Sequence, residues 1–281
     1  MENIKGVFEE TADSACLGSE LADLHKVSVL LLKKDEKEFM EDHFRKANIH
    51  MYILKCLEFP IKPEFGKIVF NAICCLSNIS MLSKEYAEIL IKNKIISKIS
   101  VFIESNLVQM ISSIYFLLAN LLTHGFELGP LLLQNNLIQF ILENDDQIFA
   151  SKKLSAQIPW FISNLFKSNC SLDQNIKRQL LVKTRQMWRE YQSPEIIHEM
   201  TWMLKHFLEN NEGEIAFFDQ QNYYQIFSNI LKAKEMNNIL AVLKIYAKLS
   251  MGDESILKKF IDEDFKWQLF ELMEIAYNQE E

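Results

Sequence analysis

An asparagine recurs along this chain inside an apolar hexapeptide. The segments Cys74-Cys75-Leu76-Ser77-Asn78-Ile79, Phe116-Leu117-Leu118-Ala119-Asn120-Leu121 and Trp160-Phe161-Ile162-Ser163-Asn164-Leu165 align on it, at spacings of 42 and 44 residues. A further 42 residues reach His206, within Trp202-Met203-Leu204-Lys205-His206-Phe207, and the next step reaches Lys248. A second column follows each landmark by 17 residues: Ile95, Leu137, Leu181, Tyr223 and Phe265. Running backwards, Ile49 and Leu32 stand 46 residues before Ile95 and Asn78. A helical pattern with a period of 40-odd residues predicts a solenoid, in which each unit buries its apolar face against its neighbours.

Short polar breaks punctuate the period. Lys92-Asn93-Lys94 and Gln134-Asn135-Asn136 each precede apolar residues at i, i+1 and i+4, and Asp219-Gln220-Gln221-Asn222 and Asp262-Glu263-Asp264 do the same later. Asn and Asp tolerate the backbone geometry that ends a helix, where glycine is usual. Each repeat should hold a short helix, a second helix after the break, and a longer third helix carrying the asparagine column. Ser193-Pro194-Glu195 reads as a cap, a proline at the first helical position and an acid in the first turn. Pro60 and Pro63 fit an inter-helix loop, and Pro159 predicts a kink or a late start in its helix.

These residues resemble the armadillo-repeat family, and within it the importin-alpha type. The family's third helix carries Trp-x-x-x-Asn, which Trp160 and Asn164 reproduce; Cys74 with Asn78, Phe116 with Asn120, and Trp202 with His206 match in part. The resemblance covers roughly residues 24–277 and implies an all-α, armadillo/HEAT-like right-handed α-solenoid of about six repeats. Residues 1–23, acidic and carrying Thr11, Asp13, Ser14 and Ser19, form an N-terminal segment or capping helix in this reading, with the array over 24–281. The acidic helix around Glu271 and Glu274 would close the other end.

The resemblance also implies a function. Third helices line the concave side in that family, so Asn78, Phe116, Asn120, Trp160, Asn164, Trp202 and His206 form a candidate groove for an extended, basic segment of a partner protein. An Asn amide offers a donor and an acceptor to a peptide backbone, and a Trp wall accepts the stem and cation of Lys or Arg. Trp and Phe at helical spacing also fit a core, and Asn can hydrogen-bond a neighbouring helix end. The sequence departs from the family where an acid one turn beyond the ladder Asn receives a cargo lysine: Leu82, His124, Ser168 and Asn210 stand there. Lys244 and Lys248 occupy the ladder pair of the last repeat, which would repel a basic peptide. An adaptor and a subunit fixed in a larger assembly are both compatible with these residues.

Composition excludes other classes. Only 7 Gly and 5 Pro in 281 residues leave little turn chemistry for a β-rich fold. A net charge of −8 with dispersed Lys and Arg argues against nucleic acid. The first twenty residues lack a secretory pattern, and the apolar stretches read as shorter than a membrane span. Five cysteines (16, 56, 74, 75, 170) show no metal spacing and suit a reducing cytoplasmic or nuclear setting. No nucleophile elbow, phosphate-binding loop or His-Glu-x-x-His is present, so no enzyme, cofactor or metal is expected. His198 and His206 share a helix but would need ligands from elsewhere to hold a metal.

Overall fold

The computed structural model describes residues 22–23, 46, 48–60, 62–105, 107–190, 193–210, 214–220, 223–233, 235–251, 254, 258, 261 and 265–271. Among these residues there is no strand, and fourteen helices have defined bounds. Packing sorts them into two compact units, one reaching Phe161 and including Cys170–Leu172, the other holding Ile162–Asn169 and the chain from Asp173.

The first unit contains α1 (Ile49–Cys56), α2 (Pro63–Leu82), α3 (Lys84–Lys92), α4 (Ile95–Ser100), α5 (Val108–Thr123), α6 (Gly129–Gln134), α7 (Leu137–Glu143), α8 (Asp145–Phe149) and the start of α9 (Lys152–Lys167). Its three-helix grammar comes from a repeated turn. Asn48, Lys94 and Asn136 adopt left-handed φ values of 51°, 57° and 57°, each directly before a second-helix start at Ile49, Ile95 or Leu137. Asn is one of the few non-glycine residues that visits this region routinely, and a lysine there costs about 1–2 kcal/mol. The residue before the turn closes the preceding helix: Asn93 Nδ2 donates to Ile89 O and Asn135 Nδ2 to Leu131 O, both at 2.8 Å. The landmark side chains then enter the core, with Ile95 and Leu137 fully buried.

The second unit contains the rest of α9, then α10 (Gln174–Glu190), α11 (Pro194–Glu209), α12 (Ile215–Gln220), α13 (Tyr224–Ala233) and α14 (Met236–Leu249). Here the expected break before Leu181 does not occur. Gln179-Leu180 offers no left-handed residue or carbonyl-capping side chain, so the first and second helices fuse into the continuous α10. Leu181 still enters the core at 0% exposure, because burial is set by its place on the helix face. Tyr223 is buried too, and its hydroxyl donates to Leu181 O at 3.3 Å. Tyr115 does the same in the first unit, donating to Leu137 O at 2.7 Å.

Two sequence expectations need correction. Of the kink or late start expected at Pro159, the late start does not occur: α9 starts at Lys152 and runs through the proline to Lys167. The missing N–H removes one intrahelical bond, and burial of Leu154, Ile158, Phe161 and Ile162 along the same helix offsets that loss. The expectation that no apolar stretch reaches membrane-span length also fails. Phe65–Leu82 covers 18 residues at mean hydropathy 1.5, long and apolar enough to cross a bilayer, but 67% of it is buried inside the protein. A central helix packed on several sides becomes apolar all round for that reason. Pro63 starts α2 at its N-terminus, whereas Pro60 lies in the loop before it, and Pro194 with Glu195 opens α11 behind Ser193. The terminal caps predicted for residues 1–23 and around Glu271 and Glu274, and the landmark Leu32, lie outside the described residues apart from Ala22, Asp23 and Glu271, which are helical.

Candidate functional site: the third-helix face

The landmark column occupies one position near the C-terminal end of each third helix: Asn78 in α2, Asn120 in α5, Asn164 in α9, His206 in α11 and Lys248 in α14. The first four are 7%, 1%, 8% and 9% exposed, so the column sits at the margin of the packed layer and not out on an open surface. Asn120 shows what such a position does. Its Nδ2 donates to both Ser77 O and Ser77 Oγ at 3.0 Å, across 43 residues of sequence. An amide spent in this way ties one third helix to the next.

The position one turn further on makes a parallel set of ties. His124 Nε2 lies 2.7 Å from Ser80 O, and Asn210 Nδ2 donates to Phe166 O at 2.6 Å. Each pair is 44 residues apart, and each reaches a carbonyl in the last turn of the preceding third helix. Carbonyls in the last turn lack an i+4 partner within the helix, so the following repeat supplies a donor; Phe166 O also accepts from Asn169 N at 3.2 Å. Cys170 Sγ reaches Phe126 O across the same 44 residues. The period seen in the sequence is therefore also the period of the hydrogen bonds that stack the repeats.

Asn120→Ala is expected to cost about 1–3 kcal/mol, because it removes both bonds to Ser77 and strands its buried hydroxyl, while the Ser77 carbonyl keeps the Ser80 hydroxyl as a donor. Urea denaturation of the variant checks this. A loss within error of zero would show that water replaces the amide without penalty.

The aromatic column one turn before the landmarks is more open. Phe116 is 39% exposed, while its neighbours Leu117 and Leu118 are fully buried. Its ring stacks on Trp160, with centroids 5.1 Å apart and planes inclined by 26°. Trp160 itself is half-buried. Cys74, the equivalent residue in α2, is also half-buried and lies 3.6 Å from Ser113 Oγ. Burial pushes its thiol above the usual range and pushes that of Cys56 to about 12, so neither is a ready thiolate at neutral pH.

Trp202 occupies a different environment in the second unit. Lys205 Nζ and Lys244 Nζ lie 5.5 and 5.8 Å from its ring centroid. The rings of His198 and His206 flank it at 6.3 and 6.0 Å. Its Nε1–H is buried and finds no acceptor. The wall that the sequence offered to a partner's cation is thus already beside two of the protein's own. Lys205, only 9% exposed, pairs with Glu209 at 2.6 Å, and His206 Nδ1 lies 3.3 Å from the same carboxylate. His198 Nδ1 is engaged by Asn238 Oδ1 at 2.8 Å. No group of three or more metal-ligating side chains converges among the described residues.

Burial, reinforced by Lys205, lowers the His206 pKa to about 4 despite the opposing pull of Glu209; Lys167 adds a further repulsion. The unfolded chain takes up this proton near pH 6.5. Folded-state stability is therefore complete above that value and falls as pH drops toward 4, by about 2–3 kcal/mol from this residue. His50, also lowered by burial, acts in the same direction. Melting curves from pH 7 to pH 4.5 should flatten in His206→Gln; an unchanged slope would show that this imidazole is not buried neutral.

Sequence reading located the column but not its partners. Ser77 as the acceptor for Asn120 left only a faint trace, the Ser-Asn pair at 77–78 and again at 163–164. Lys205 against Trp202 had no signal beyond its i+3 spacing, a distance that places two side chains on one helix face.

No family model and no curated protein sequence matches this chain. Solved structures do. A designed armadillo repeat protein in complex with the peptide (KR)4 superposes at a TM-score of 0.64 and 14% identity, covering 85% of this chain and 95% of its own. A second designed armadillo repeat protein gives a TM-score of 0.64 at 14% identity, covering 82% of this chain and 92% of its own. An engineered protein follows at 0.58 and 12% identity, with 82% and 99% covered. Identity this low carries the fold alone, and the fold is that of an armadillo-repeat α-solenoid.

Proposed function

We propose that this chain is a non-catalytic protein-binding scaffold that holds an extended segment of a partner on the third-helix face of its repeats. The Phe116–Trp160 pair carries the reading: two large aromatic rings on successive third helices stay partly open to solvent beside positions that are fully buried. Aromatic anchors of this kind dominate binding energy at protein interfaces. A designed armadillo repeat protein of the same fold was solved with a bound peptide, which supports peptide binding as the use of such a face. The four cysteines among the described residues, all free thiols, fit a cytoplasmic or nuclear setting.

Adaptor duty of the importin-alpha kind is the narrower form of this proposal. It has Trp160 with Asn164 in its favour. Against it, the positions where that family places a cargo-binding acid hold His124 and Asn210, both engaged in the ties between repeats. The second reading is a subunit built permanently into a larger assembly. Trp267 and Phe270, 70% and 67% exposed, favour it, because large apolar side chains left that open are what a fixed neighbour covers. Affinity purification of the tagged chain from its native cells separates the two. Several substoichiometric partners fit the adaptor, and one constant set at unit stoichiometry fits the subunit.

A further inference from the structure

The surroundings of Trp202 point to a partner of the opposite charge from that taken by the designed relative. We infer that the third-helix face of the second unit binds an acidic peptide segment, with a partner carboxylate received by Lys244 and the Nε1–H of Trp202. This rests on the scaffold reading above and names the chemistry of its partner.

Three observations carry it. Lys244 is exposed and stands 5.8 Å from the Trp202 centroid, and no ion pair joins it to an acid among the described residues. Lys205 lies on the same ring, and Glu209, its one anionic partner among the described residues, is shared with His206. Trp202 Nε1–H is a buried donor without an acceptor, a costly arrangement that an incoming carboxylate oxygen relieves. Lys167 adds positive field at His206, and Lys248 stands one turn beyond Lys244 on α14. A basic peptide meets repulsion from the ammonium groups of Lys205, Lys244 and Lys167, offset in part by Glu209. A carboxylate meets two ammonium groups and an indole N–H, charge-assisted donors of the strong kind.

Local charge also opposes the charge of the molecule as a whole. The chain carries a net −8, so its overall field repels an acidic peptide. Binding of such a peptide therefore reports a local site and not general attraction.

The test uses the full chain and three labelled octapeptides, (DE)4, (KR)4 and (GS)4, read by fluorescence anisotropy at low and high salt. The expected order is (DE)4 tightest, with affinity falling as salt rises. Lys244→Glu should weaken (DE)4 about tenfold, Lys244→Arg should retain it, and Trp202→Phe, which keeps a ring and deletes the N–H, should weaken it several-fold. Thermal melts of each variant confirm that the fold is kept. If (KR)4 binds more tightly than (DE)4, or if no (DE)4 binding appears up to about 1 mM, the inference is overturned. Either result leaves the Phe116–Trp160 face standing, since that face is tested by its own substitutions.

Discussion

Phe161→Ala is expected to lower stability by about 3–5 kcal/mol, while Phe116→Ala costs only about 1 kcal/mol. Both are phenylalanines on third helices of the first unit, and both touch another aromatic ring. They differ in what surrounds them. Phe161 is fully buried and packs on Tyr115 at a centroid distance of 5.1 Å, so truncation leaves a cavity that the close-packed repeats cannot collapse. Phe116 is 39% exposed, and its loss removes one face of a stack with Trp160. For a chain of this size the core variant should melt roughly 10 °C lower, and the surface variant within a few degrees of the parent. Equal shifts would mean that Phe116 belongs to the core and that the face is closed.

The second large effect is on binding. Phe116→Ala and Trp160→Ala should each weaken capture of the partner by about 30-fold or more, the effect of losing an aromatic anchor worth about 2–4 kcal/mol. The single Trp160 variant is the sharper one, because the residue is half-buried and serves either the core or the face. Lost binding with a nearly unchanged melt assigns it to the face. A collapse in melting temperature with binding retained in the folded fraction assigns it to the core and favours the fixed-subunit reading.

The fold was largely legible because a solenoid repeats its physics. Ile95, Leu137, Leu181, Tyr223 and Phe265 are buried in five successive positions, and one 17-residue offset finds them all. Helix breaks were legible where an Asn supplies the turn, as at Asn136, and failed at α10, where nothing in the sequence forces a break and burial alone fixes Leu181. The left-handed residue before Ile95 is Lys94 and not the adjacent Asn93, because the Asn side chain is used to cap Ile89 O. Propensity picks the segment, and the competing hydrogen bond picks the residue.

The candidate site was harder to read, for a reason particular to side-chain amides. Asn can clamp a peptide or tie two helices with the same donors and acceptor, and the pattern is identical in one dimension. Only the position of Ser77 against Asn120 decides that this amide is a tie. Trp202 was equally ambiguous. Its place in the column suggested a wall for a cation, and the structure adds Lys205 and Lys244 to the same ring. Aromatic residues mark where a face lies, while the cations and carboxylates brought in from other helices decide what that face accepts.

Photo-crosslinking at position 116 tests the central claim most directly. A benzophenone amino acid replaces Phe116 in one sample and Val101, 52% exposed on the turn after α4, in another. On irradiation in native cells, adducts at position 116 should form and map to one contiguous, extended stretch of a partner protein, with little or none at position 101. Equal yields at both positions, or no adduct at 116, would contradict a binding face built on Phe116 and Trp160.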